Sequence, residues 1–202
     1  MIIEVALYIL TLVELKAAGV PEWESEIRAQ TTAESAWNPT ARSPWANGSM
    51  QFVQSTYDWI APDIGCEDVS IFDHQCNTRA GIEYMSRLLR SQSDWDLARA
   101  AYNMGPGNLR KERRACRMRL GCDEDEWADN VEAMCNRTRP GACDETRRYV
   151  RRIHIEMTDP YLRPPDIERC PALGWLYTPC PSAQWIAQRA EGAVFTDEWM
   201  HD

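Results

Sequence analysis

The chain has 202 residues, 44% of them hydrophobic and 26% charged, which suffices for one packed core and excludes disorder throughout. A formal net charge of −9 excludes nucleic acid as the main partner, because phosphate contacts demand a surplus of Lys and Arg. In chain order, the first nineteen residues hold an apolar run without a basic start, interrupted by Glu4 and Glu14. They suit neither an ordinary signal peptide nor a membrane span of about 20 apolar residues. They predict an extra amphipathic helix packed on the domain and, if the protein reaches the periplasm, a carrier other than an ordinary signal.

Pro21 opens the next helix, which carries Trp23, Ile27, Gln30 and Glu34 on one face at three-to-four spacing. A second helix is predicted over Met50 to about Ile60, and a third from about Asn77 to Arg90 with Ile82, Met85, Leu88 and Leu89 inward. Ser93 or Asp94 caps a fourth carrying Leu97, Ala98 and Ala101. Further helices fit about 124–134 and 144–157. Between Arg110 and Arg119 lie six basic residues, followed by the acidic run Asp123 to Glu126. This is either a solvated helix face beside an acidic helix start or a patch that docks an anionic wall or lipid. After Asp159 six prolines between Pro160 and Pro181 oppose helix. The expected architecture is one mainly α domain over 1–158, with 159–202 as a Pro-rich extension packed on it and clipped by cysteines.

The eight cysteines contain no CxxC pair, and the three histidines are far apart, so neither zinc nor any other metal site is expected. The cysteines fall into four sequence-local couples: Cys66–Cys76, Cys116–Cys122, Cys135–Cys143 and Cys170–Cys180. Disulfides place the chain in an oxidising space; buried thiols in a cytoplasmic protein are the alternative.

Glu34 is the candidate for chemistry. It lies near the end of a helix whose face carries Trp23 and Ile27, and Trp37 follows one turn later. A carboxyl held against apolar surface resists ionisation and keeps a proton near neutral pH. Such an acid, beside rings on which sugars stack, is what glycosidic-bond cleavage requires. A glutamate at a helix end is common, so this reading alone does not decide.

Four ordered stretches decide more: AESAWNPTARS (33–43), GSMQ (48–51), AYNMGPG (101–107) and ETRRYV (145–150). Together they resemble the signature blocks of the Slt-type lytic transglycosylases, over about residues 20–157. The resemblance implies a lysozyme-like helical fold of the Slt and goose-lysozyme type. It implies Glu34 as the catalytic acid and base, with Ser35 supporting the helix end. It also implies Tyr149 as the hydroxyl that orients the acid or the reacting sugar. Ser43, Gln51, Tyr102 and Asn103 are implied to contact the glycan or flank the cleft, and Met50 to line the same groove. Tyr102 and Met50 fit a core equally well, and Gly105 and Gly107 can simply end a helix. The chain departs from the family pattern at Ser49, where an apolar residue is usual, and at Gln54, where a proline is frequent. Both departures bear on local packing. No signature block accounts for the Arg- and Cys-rich stretch 108–144.

The implied reaction cleaves the β-1,4 bond between N-acetylmuramic acid and N-acetylglucosamine in peptidoglycan glycan strands. It leaves 1,6-anhydromuramic ends and uses no cofactor. A goose-type lysozyme is the nearest rival, but a hydrolase needs a second carboxylate to hold water, and none lies between Glu34 and Gln51. A non-catalytic wall-binding or virion structural protein is the rival from another class. The expected setting is the periplasm or wall of a bacterial host, for phage lysis or entry, with virion or secretion-machinery proteins as further partners.

Overall fold

The computed structural model describes residues 2–92, 94–118 and 140–158. Among these the chain is helical, with extended backbone only in the isolated bridges Arg42↔Asn47 and Asn47↔Phe52. The helices are α1 (Ile2–Ala17), α2 (Glu24–Ser35), α3 (Gln54–Ile60), α4 (His74–Gln92), α5 (Trp95–Met104), α6 (Pro106–Arg117) and α7 (Pro140–Thr158). A 3-10 turn over Pro21–Trp23 leads into α2, and another over Ala61–Ile64 follows α3. The predicted helix at 124–134 and the extension 159–202 lie outside the described residues. So does a member of each expected cysteine couple except Cys66–Cys76, which is a disulfide.

Each helix buries the stripe that its apolar spacing dictates. On α1, Leu7, Tyr8, Thr11, Glu14 and Leu15 face inward, and the helix packs chiefly against α4. Glu14 is tolerated there because Arg79 grips it with two hydrogen bonds, of 2.6 and 3.1 Å. Asp94 caps α5 by accepting from Leu97 N at 2.9 Å. Gly105, with φ +85°, ends α5, and Pro106 starts α6 at once. Arg110, Lys111, Arg114 and Arg117 are exposed on α6 while Leu109, Glu112 and Cys116 are buried, which fits the solvated-face reading. α7 buries Cys143, Thr146, Tyr149, Val150 and Ile153 and packs across α2 and α5. That packing delivers the end of α2 to the middle of α7.

One predicted boundary is corrected. α3 begins at Gln54, not at Met50, because 47–52 forms a tight turn. Gly48 takes φ +83° and Gln51 φ +48°, and Asn77 Oδ1 accepts from Met50 N at 2.7 Å. A Cβ at residue 48 would collide with Asn77 Nδ2 and Ile71 O, so glycine is required there.

The Ser49 departure from the family pattern also finds its reason. Ser49 and His74 are both buried. His74 Nε2 donates to Leu7 O at 2.8 Å, which fixes Nδ1 as the acceptor for the Ser49 hydroxyl at 2.7 Å. A polar pair thus ties α1, α4 and the 47–52 turn together. Burial lowers the His74 pKa, in keeping with the neutral tautomer.

Candidate active site

Glu34 sits in the last turn of α2, before the left-handed cap at Ala36 (φ +50°). Its carboxyl lines a cleft of about 950 Å³ whose walls come from the 43–53 loop, the end of α5, the start of α6 and α7. The side chain is partly accessible along the cleft but crowded by protein on its other sides. That desolvation is the dominant effect on its pKa, which rises to about 8. The Tyr149 hydroxyl and the Arg152 charge pull it down, and the Glu145 charge pushes it up. The negative end of the α2 dipole acts in the same direction as burial.

Tyr149, buried on α7, donates to Glu34 Oε1 at 2.6 Å. Burial first, then the nearby Glu34 charge, holds the Tyr149 phenol far above its usual range, so it stays a donor. With Oε1 occupied, Oε2 is the oxygen left to carry and deliver a proton.

The remaining candidates converge on this cleft with one exception. Tyr102 lines it and anchors the 47–52 turn, its hydroxyl donating to Met50 O at 2.8 Å. Its ring packs on Phe52 and Tyr84, with centroids 5.8 and 5.3 Å away. Asn103 lines the cleft and accepts from Thr146 at 2.6 Å, tying α5 to α7. Gln51 reaches the cleft from a strained φ and donates to Gly48 O at 2.9 Å. Ser43 lines the cleft, but its hydroxyl accepts from Ala46 N at 2.9 Å within its own turn.

Met50 is the exception and a correction. Its side chain is 0% exposed and lies in the core rather than along the groove. Thr31 donates to its sulfur at 3.0 Å, and the bare Gly81 on α4 leaves room for its methyl.

The aromatic neighbours of Glu34 also differ from expectation. Trp37 turns away to donate to Thr32 and packs edge-on against Tyr8; Trp23 packs against Trp95. Tyr102 and Tyr149 take their place. The sequence reading also missed Trp45, Glu112 and Glu145, which line the cleft. Glu145 is detectable, because it stands four positions before Tyr149 and helical spacing puts both on one face. Among the described residues no group of three or more His, Cys, Asp or Glu stands close enough to hold a metal ion. Among them, too, no helix is long and apolar enough to cross a membrane.

The chain is similar to known proteins. Residues 14–119 match the family model described as the transglycosylase SLT domain. The chain is 32% identical over 146 residues to membrane-bound lytic murein transglycosylase F of Vibrio cholerae serotype O1 (strain ATCC 39541 / Classical Ogawa 395 / O395), covering 63% of this chain and 26% of that protein. It is 32% identical over 121 residues to the protein of the same name from Pseudoalteromonas translucida (strain TAC 125), covering 55% and 24%. The Histophilus somni (strain 2336) protein of that name is 33% identical over 122 residues, covering 56% and 24%. The chain therefore spans about a quarter of the length of these curated relatives. No solved structure matches it. The 145–150 stretch lies beyond the residues that the family model matches, and what joins it to the site is the Tyr149 hydrogen bond. With more than half of its length matched by the family model, the chain belongs to the transglycosylase SLT domain family.

Proposed function

We propose that this chain is a peptidoglycan lytic transglycosylase that cleaves the β-1,4 bond between N-acetylmuramic acid and N-acetylglucosamine. The observation that carries the reading is the Glu34 carboxyl lining the cleft with the Tyr149 hydroxyl on one oxygen, where desolvation pushes its pKa up to about 8. The proton on Oε2 passes to the glycosidic oxygen as the bond to C1 of the muramoyl ring breaks. Glu34, now a carboxylate held by the Tyr149 hydroxyl and the Arg152 charge, takes the proton from the C6 hydroxyl of the same ring. The C6 oxygen closes on C1, giving the 1,6-anhydro sugar and restoring the acid. One residue serves both steps without water. Gln51, Asn103 and Tyr102 are the wall residues we assign to glycan contact, and Ser43 to shaping the loop between them.

The setting proposed is a phage-encoded enzyme of lysis or wall penetration, acting in the periplasm or wall of the host. The Cys66–Cys76 disulfide supports an oxidising space, and glycan strands are the partner.

One observation favours a second reading. Glu145 lines the cleft and its charge reaches Glu34, so a carboxylate able to hold a water is at hand for a goose-lysozyme-type hydrolysis. Clearing of a suspension of purified peptidoglycan tests catalysis of either kind. The native chain should clear it, and Glu34→Gln should be slower by at least the roughly 10²–10⁴-fold of a lost general acid. Equal clearing by both would refute the role of Glu34. No clearing by the native chain would leave the wall-binding alternative.

A further inference from the structure

We propose that Trp45 is a sugar-binding platform at the cleft mouth, its indole face receiving one pyranose ring of a bound glycan strand, with Ser43 as the residue that holds it in place. The inference rests on the reading of the cleft as a peptidoglycan site and deepens it. Trp45 is 82% exposed while lining the cleft that contains Glu34. So large an apolar ring in water leaves unfavourable hydration that a ligand can relieve. Trp59 is also exposed, but the Arg87 guanidinium lies 4.5 Å over its ring. The Trp45 ring has no aromatic or cationic neighbour of that kind among the described residues.

The backbone beneath it is fixed. Ser43 Oγ accepts from Trp45 N at 3.4 Å and from Ala46 N at 2.9 Å, and Ser43 N donates to Ala46 O at 2.9 Å. Pro44 removes one more dihedral freedom. With the backbone beneath the ring already held, only the side chain has freedom to lose when a ligand settles on it. The surroundings choose the ligand. Trp45 and the half-exposed Val53 form a small apolar lip, while Asn108, Lys111 and Glu145 line the cleft with polar groups. A pyranose has one face of C–H bonds and a rim of hydroxyl and acetamido groups, which matches an apolar lip in a polar groove. A lipid chain would need a continuous apolar patch, which the charged lining interrupts.

The test uses a chitin hexasaccharide titrated by calorimetry into the catalytically silent Glu34→Gln chain, together with turnover of purified peptidoglycan by the otherwise native chain. Trp45→Ala is expected to weaken hexasaccharide binding about tenfold, the size of one lost apolar contact, and Trp45→Tyr to keep it within about threefold. On peptidoglycan Trp45→Ala should raise KM about tenfold and leave kcat within about twofold. Ser43→Ala should give part of the same KM effect, and Ser43→Thr should restore it. Circular dichroism should show both Trp45 variants folded. Unchanged hexasaccharide affinity and KM in Trp45→Ala would overturn the platform, as would a complete lack of hexasaccharide binding. If the native chain leaves peptidoglycan intact yet Trp45→Ala still weakens binding, the platform stands and the activity fails. If the native chain cleaves and Trp45→Ala behaves as native, the activity stands alone.

Discussion

The Tyr149 hydroxyl donates to Glu34 Oε1 at 2.6 Å, joining the middle of α7 to the end of α2 across 115 residues of sequence. This bond favours the carboxylate and so restrains the rise that burial imposes on the Glu34 pKa. Tyr149→Phe is expected to lower kcat roughly 10- to 100-fold, the worth of one hydrogen bond to a charged group. It should also move the alkaline limb of the kcat/KM profile upward from about pH 8, because the carboxyl then holds its proton more tightly. A pH–rate series on both proteins checks this; a downward shift would contradict it.

Glu34 should weaken the fold at neutral pH, as strained catalytic groups do. Its pKa is raised from the ordinary carboxyl value of 4.5 to about 8 in the folded state. Between those values the folded chain binds more protons than the unfolded chain, so stability falls as pH rises through that window. Below it both states are protonated and the penalty vanishes. Glu34→Gln, which keeps an acceptor for Tyr149, is therefore expected to match the native Tm near pH 4 and exceed it near pH 8. The gain should be on the order of 1–3 kcal/mol, less than the full shift implies because the carboxyl opens on the cleft. Thermal melts across pH read it directly.

Ser49 and His74 form a buried polar pair whose loss should be felt in the fold. Ser49→Ala leaves Nδ1 of His74 without its donor and is expected to cost about 1–3 kcal/mol in urea unfolding. Ser49→Leu, which restores the residue type usual in the family, should cost more here, because an apolar side chain then crowds an imidazole that still needs its partner. A stabilising effect of leucine would show that the pair is dispensable.

The Cys66–Cys76 disulfide closes a loop with a sequence separation of 10. Chain-entropy reasoning assigns it about 2–3 kcal/mol. Cys66→Ala with Cys76→Ala should therefore lower Tm by roughly 5–10 °C without altering the products released from peptidoglycan.

Much of this was legible in the sequence, for physical reasons that vary from residue to residue. Helical spacing on α1, α4 and α5 exposed their core faces, because burial of a stripe is what makes such helices stable. Glu34 and Tyr149 were legible through their signature stretches. Their contact was not, since nothing local in sequence brings α7 onto α2. Met50 was misplaced because an apolar residue beside a polar motif carries no sign of whether it faces the cleft or the core; Gly81, thirty-one residues on, decides that. The late start of α3 depended on the left-handed Gln51, a conformation that non-glycine residues rarely announce. Glu145 is not legible as a second carboxylate because it lies more than a hundred residues from Glu34 in sequence, and only the packing of α7 brings it to the cleft.

The most direct test of the central claim is the mass of the muropeptides that the native chain releases from purified peptidoglycan. If Glu34 delivers its proton and then takes one from the C6 hydroxyl, the products end in 1,6-anhydromuramic acid, lighter by one water than the hydrated form. That is the expected result. Products ending only in reducing muramic acid would contradict it, and would make the chain a hydrolase with Glu145 the first residue to examine as the holder of the attacking water.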